Sequence, residues 1–96
     1  MSNNLVKSDV YCIFTFAATA HALKAEKVLK DADAEFIIIP TLREISTSCG
    51  LSVKIDPAHL DMYHNTLKNN GVNIESVYHV EKQGKKNIVE KFEVAN

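Results

Sequence analysis

Apolar residues in this chain fall either in short continuous runs or in segments of helical spacing. The run over residues 10–16 is rich in aromatic and β-branched side chains and predicts a buried strand. Across residues 18–32, alanine and leucine recur every three or four positions with lysines between them, which predicts an amphipathic helix. A second apolar run, over residues 34–39, predicts a strand that ends at Pro40, since proline cannot donate a hydrogen bond to a neighbouring strand.

The second half of the chain repeats this pattern. Residues 51–55 alternate apolar and polar side chains, as a half-buried strand does. Asp56-Pro57 combines an N-cap with a proline at the first helical position, and Asn70-Gly71 is a stop signal for the helix between them. Residues 72–80 predict a fourth strand, and Gly84 allows a turn into a possible extra C-terminal strand.

The predicted order of elements is strand, helix, strand, strand, helix, strand. This order is that of the ferredoxin-like or split βαβ fold (βαββαβ), an α+β fold with a four-stranded antiparallel sheet and two helices on one face. The chain has 96 residues, which is too few for a second hydrophobic core. The sequence therefore predicts a single domain over residues 1–96.

The first two predicted strands are apolar on both faces. Tyr11 and Ile13 alternate with Cys12 and Phe14, so neither side of the first strand is polar. A sheet that carries helices on one face is expected to present polar residues on the other. We therefore expect a cover for the second face, either a second copy of the chain in a homodimer or the C-terminal tail.

Composition and charge exclude several classes of function. Hydrophobic residues make up 46% of the chain and the net charge is -1, which argues against disorder, against nucleic-acid binding and against attachment to anionic membranes. Two cysteines cannot form a disulfide framework, and the polar first residues lack the core of a signal peptide, so we expect a cytoplasmic protein. The four histidines lack the spacing of metal ligands, and we expect neither a metal nor a cofactor.

Cys49 is the residue that most directly suggests chemistry. A cysteine becomes nucleophilic when nearby cations or backbone N–H groups favour its thiolate. The polar connection of residues 40–50 supplies a guanidinium, three hydroxyls and a glycine that leaves room beside the sulfur: Arg43, Ser46, Thr47, Ser48 and Gly50. These residues predict either an exposed, reactive thiol with an anion-binding loop or, more simply, a Cys-Gly turn that leads into a strand.

The other candidate groups are weaker. Cys12 lies between apolar neighbours in the first strand and is expected to be a core residue. His79 is a candidate base for Cys49 if the fold brings the two together. The sequence leaves open whether Cys12 approaches Cys49.

Residues 16–50 resemble the family of small selenium/sulfur carrier-like proteins, formerly a domain of unknown function. The resemblance includes Phe16, residues 22–27 and a loop pattern of approximately Pro-x-Pro-Arg-x-(aliphatic)-Ser-x-x-Cys-Gly. The arginine, serine, cysteine and glycine of that pattern are matched in the loop of residues 40–50, while Leu42 stands where the family usually has a second proline. The likeness is good over the first 55 residues and only general beyond them.

The resemblance implies a role as a carrier. Cys49 would accept sulfur or selenium as a persulfide or perselenide, and Arg43 would stabilise the anion through charge-assisted hydrogen bonds. The implied partners are a donor protein and an acceptor protein. A carrier of this kind is not an enzyme in the turnover sense.

Two other functions remain open from the sequence. One is a dimeric ligand-binding or regulatory module, in which Arg43 and the hydroxyls of residues 46–48 hold an anionic ligand. The other is a scaffold subunit that uses its apolar sheet face as a contact. An enzyme is the least supported function, because no second catalytic group has a defined spacing to Cys49.

Overall fold

The computed structural model describes Leu5 and residues 7–45 and 49–92, and these residues form one antiparallel sheet and two α-helices. The elements, in chain order, are β1 (Val10–Thr15), α1 (Thr19–Asp31), β2 (Ile37–Pro40), β3 (Leu51–Ile55), α2 (Leu60–Asn69), β4 (Ser76–Gln83) and β5 (Lys86–Phe92). The α+β class is confirmed. β4 begins four residues later than predicted, since Val72 packs into the core directly after α2 rather than in a strand.

The strand order in the sheet is β2-β3-β1-β4-β5, and every neighbouring pair is antiparallel. The described residues therefore form five strands where four are predicted, and the fifth is the C-terminal strand that the sequence leaves as a possibility. Gly84, with φ of 64°, turns the chain into β5. An edge strand exposed to solvent needs few apolar residues, which explains its weak signal in the sequence.

Both ends of α2 follow the predicted signals. The Asp56 carboxylate accepts a hydrogen bond from the Ala58 N–H at 2.8 Å, and Pro57 begins a short 3₁₀ helix (Pro57–His59) that leads into α2. At the other end Gly71 has φ of 76°, a conformation that suits glycine because it lacks a Cβ.

The main core lies between one face of the sheet and the two helices. Phe14 and Cys12 of β1 and Val53 of β3 pack there against Leu29 of α1 and Leu67 of α2. These five side chains are almost fully buried. Alternate residues of the central strands form this face, as the period of two predicts.

The second face of the sheet is also buried, by segments of the same chain. Ile45 and Leu42, from the connection after β2, pack on Tyr11, Ile13 and Val80. The predicted need for a cover is thus met within one chain. The homodimer stays a prediction.

The C-terminal residues do not provide this cover. Residues 86–92 pair with β4 at the edge of the sheet, where their backbone groups are satisfied by strand hydrogen bonds, so a tail folded over the face is wrong for these residues. β3 is also more buried than its half-buried prediction, since Ser52 and Lys54 on the second face are covered.

None of the helices in the described part of the chain is long and apolar enough to cross a bilayer.

Candidate functional site

Cys49 lies in the connection between β2 and β3, two residues before β3 begins. Its side chain is 1% exposed and belongs to the main core. The Sγ–H donates to the Leu51 carbonyl at 3.2 Å, and the Leu51 N–H donates to Sγ at 3.4 Å. The expected exposed thiol is therefore wrong for this conformation, because the chain turns the sulfur inward onto the backbone of Leu51.

Thr41 fixes the backbone on either side of this cysteine. Its hydroxyl donates to the Cys49 carbonyl at 3.0 Å and lies 2.7 Å from the Ser52 hydroxyl. Its N–H donates to the Gly50 carbonyl at 3.0 Å. The residue directly after β2 thus forms hydrogen bonds to both residues of the Cys49–Gly50 segment, hereafter the cysteine segment, and to Ser52 of β3.

Arg43 forms no hydrogen bond with Cys49 in this conformation. Its side chain is exposed, and no hydrogen bond or ion pair joins it to another described residue. Gly50 is also exposed, and a Cβ built on it would meet no atom within 4 Å. Ser46, Thr47 and Ser48 lie outside the described residues. The predicted anion-binding set thus stays a prediction.

The Leu51 backbone meets Sγ with both a hydrogen-bond acceptor and a donor. The Leu51 carbonyl accepts the S–H proton at 3.2 Å, and a carbonyl oxygen offers no hydrogen bond to an anion. The Leu51 N–H, in contrast, could donate to a thiol or to an anion. This conformation therefore protects the sulfur, and chemistry on Cys49 requires it to leave the Leu51 carbonyl.

The fold separates His79 from Cys49. His79 is in register with Cys12 of β1, and Cys12 is in register with Ile55, the last residue of β3. Cys49 precedes the opposite end of β3. From Ile55 back to Leu51, still two residues short of Cys49, β3 spans about 13 Å, and β4 lies about 10 Å across the sheet from β3, from the spacings of a regular sheet. The hypothesis that His79 acts as a base for Cys49 is therefore wrong for this fold.

Cys12 is confirmed as a core residue. It is 1% exposed in the middle of β1, and the two cysteines, both among the described residues, do not form a disulfide. Burial, and secondarily the nearby negative charge of Asp56, raises the pKa of the Cys12 thiol to about 11. Cys12 is thus a poor nucleophile, because it stays protonated at neutral pH.

The raised pKa of Cys12 predicts a loss of stability at alkaline pH. In the unfolded chain this thiol loses its proton near its ordinary pKa of 9.0, whereas in the folded protein it keeps the proton up to about 11. Between these values the unfolded state binds fewer protons, so the free energy of unfolding falls as pH rises. By pH about 11, we expect Cys12 to lower the free energy of unfolding by an amount on the order of 1–2 kcal/mol.

Urea denaturation of the wild type and of Cys12→Ala at a series of pH values measures this effect. The two proteins share their tyrosines and lysines, so the difference between the two pH profiles isolates the cysteine. Parallel profiles from neutral to strongly alkaline pH would contradict the assignment.

Among the described residues, no group of three His, Cys, Asp or Glu side chains is arranged to hold a metal ion. His64 packs against Phe14, with ring centroids 6.2 Å apart. Burial and the positive charge of Lys68 lower the pKa of His64, an effect that Asp61 partly opposes. His64 is therefore a packed core histidine.

Sequence reasoning missed two parts of this site. By its sequence Thr41 belongs to the polar connection, although its place directly after Pro40 puts its hydroxyl beside the returning strand. The backbone of Leu51 carries no sequence signal at all, because every residue has an N–H and a carbonyl.

These features describe a small α+β domain with a cysteine segment between two adjacent strands. The family model described as "Putative Se/S carrier protein-like" matches residues 11–79. The chain belongs to this family, and the resemblance stated from the sequence is confirmed. The matched region extends from β1 into β4 and includes the cysteine segment, while β5 lies beyond it. Neither the curated proteins nor the solved structures include a match to the chain.

Proposed function

We propose that this protein carries one sulfur or selenium atom on Cys49, as a persulfide or perselenide, between a donor protein and an acceptor protein. Support comes from membership of the family and from the position of the cysteine. Cys49 is protected in the core, yet the next residue, Gly50, is exposed with open space around it. A modest movement of the backbone would bring the sulfur to the surface.

Loading is a thiol exchange that needs no external oxidant. The Cys49 thiolate attacks the terminal sulfur of a donor persulfide, R–S–SH. The new Cys49 S–S bond forms as the donor S–S bond breaks, and the donor leaves as its thiolate, R–S⁻. Unloading is the same step with the acceptor thiolate as nucleophile. With selenium, the transferred atom is Se, and one bond again forms as one breaks.

The hydrogen bonds of Thr41 define what has to break before this exchange. Cys49 cannot reach a donor while its carbonyl is held by the Thr41 hydroxyl and its sulfur by Leu51. Once exposed, the sulfur would lie in the same connection as the Arg43 guanidinium, which is already in solvent. A persulfide is more acidic than a thiol, and its anion would gain a charge-assisted hydrogen bond from this arginine. The hydroxyls of Ser46, Thr47 and Ser48 would also donate hydrogen bonds to the persulfide anion.

We also infer that β1 to β4 and the two helices form a ferredoxin-like unit to which β5 is added. The support is the order β2-β3-β1-β4, antiparallel throughout, with both helices packed on one face. In this arrangement the cysteine segment lies beside β2, an edge strand, where a partner protein has access.

The carrier function is tested by loading and unloading the wild-type protein. The reduced protein is incubated with a low-molecular-weight persulfide, desalted and weighed by intact mass spectrometry under non-reducing conditions. We expect a product heavier by one sulfur atom, which disappears when a second thiol is added as that thiol becomes a persulfide. A protein that takes up no sulfur, or that never releases it to the second thiol, would contradict the proposal.

A further inference from the structure

A pocket lies on the sheet face opposite the helices, away from the main core that contains Cys49. Its volume is about 310 Å³. Three lysines from different segments line it, Lys7 near the N terminus, Lys54 in β3 and Lys82 in β4. Asp9 is the one carboxylate among the described lining residues. The pocket is thus positively charged in a protein whose overall charge is -1.

Lys54 is the most unusual group in the pocket. It is 8% exposed, and its Nζ lies 4.1 Å from the centroid of the Tyr11 ring. No described carboxylate forms an ion pair with it. The stem of Lys54 is covered, which leaves its ammonium group only partly hydrated at the pocket, and the cation–π contact offsets a part of the cost of that lost hydration.

The charged groups near Lys54 also affect its ammonium group. Burial and the positive charge of Lys82 lower the pKa of Lys54, and the negative charge of Asp9 opposes them. The two lysines therefore repel each other across the pocket. An anion between them would relieve the repulsion and add to the single negative charge that Asp9 contributes to the pocket.

The sheet holds these groups in place before any ligand binds. Tyr11 of β1 forms the floor, and β3 and β4 flank β1 on either side. Lys54 and Lys82 thus project from the two strands beside Tyr11, on the same face of the sheet. Groups held on strands lose little freedom on binding, which favours affinity.

We propose that this pocket binds the phosphate group of a small metabolite. Lysine ammonium groups are common phosphate ligands, and a volume of about 310 Å³ lies at the lower end of the range for small-molecule sites. Leu42 forms part of the wall and belongs to the same connection as Cys49, so a bound ligand would contact the start of that connection. The inference does not rest on the carrier function, since none of the pocket residues contributes to the chemistry of Cys49.

The test is a titration of the isotopically labelled protein followed by nuclear magnetic resonance. The probes are inorganic phosphate and ribose 5-phosphate, with ribose and potassium chloride at matched ionic strength as controls. We expect saturable shifts at the amides of Tyr11, Leu42, Lys54 and Lys82 with the phosphate probes only. Tighter binding of ribose 5-phosphate would identify a phosphorylated metabolite, and equal affinity would identify the free ion.

Three variants decide whether the phosphate probes bind in this pocket. Lys54→Met removes one ammonium group from the pocket and keeps an apolar chain of similar length. Lys82→Met removes another ammonium group at an exposed position where folding is not at risk. Lys27→Met, on the exposed face of α1, is the matched control. We expect at least tenfold weaker binding for the first two and unchanged binding for the third. The absence of saturable shifts, or equal binding by all three variants and the wild type, would overturn the inference.

Discussion

Cys49→Ala should abolish the loading of sulfur, while Cys12→Ala should leave it unchanged. Both cysteines are 1% exposed and both belong to the main core, so burial alone does not distinguish them. They differ in position. Cys12 lies in the middle of a central strand, whereas Cys49 lies in a connection next to an exposed glycine. Exposing Cys12 requires the sheet to open, whereas the proposed exposure of Cys49 requires the segment outside the strands to move away from Thr41 and Leu51.

The matched pair of alanine variants makes this comparison direct. Each replacement leaves a small cavity and should lower the free energy of unfolding by about 1–2 kcal/mol, so the folded state is checked first by circular dichroism. Each variant is then incubated with the persulfide donor and weighed. Loading that persists in Cys49→Ala, or that disappears equally in both variants, would remove Cys49 from its proposed role.

Thr41→Val should make Cys49 react faster. Valine keeps the shape of threonine but lacks its hydroxyl. That hydroxyl donates to the Cys49 carbonyl and is hydrogen-bonded to the Ser52 hydroxyl. Losing these hydrogen bonds should destabilise the closed conformation by about 1–2 kcal/mol. If Cys49 is modified only when the segment opens locally, that change corresponds to an increase of about tenfold in the rate of alkylation. The rate is followed with iodoacetamide and peptide mass spectrometry.

Thr66→Val is the control for this prediction. The Thr66 hydroxyl also donates to a backbone carbonyl, that of Met62, but on the exposed side of α2. Its removal should leave the rate at Cys49 unchanged, and Cys12 should stay unreactive in both variants. Equal rates in wild type and Thr41→Val would mean that Thr41 does not hold the segment closed.

The periodicity of apolar residues was enough to predict the central elements of this fold. β1, β3 and both helices bury long side chains at regular spacing, and Asp56 and Gly71 mark the ends of α2 by their chemistry. The sequence indicates β5 only weakly, because an edge strand has few apolar contacts. The sequence shows that the second face of the sheet is apolar, but it does not show what covers that face. A single Ile45 in a polar connection does not indicate that the connection packs on the sheet.

The candidate site could be predicted only in part. The sequence singled out Cys49 by its neighbours, and those neighbours suggested exposure. The direction of a side chain in an irregular connection depends on backbone angles that no local pattern fixes, so the burial of Cys49 could not be foreseen. The burial of Lys54 could not be predicted either. In a strand of alternating polar and apolar residues a lysine is expected to be exposed to solvent, whereas the second face of the sheet, where Lys54 lies, is covered.

The location of the transferred atom tests the account most directly. The wild-type protein is loaded with sulfur from a persulfide donor, capped with iodoacetamide, digested and mapped by tandem mass spectrometry. The account predicts one additional sulfur on the peptide that contains Cys49 and none on the peptide that contains Cys12. Sulfur found on Cys12, or on neither cysteine under conditions that fully load an accessible thiol, would contradict it.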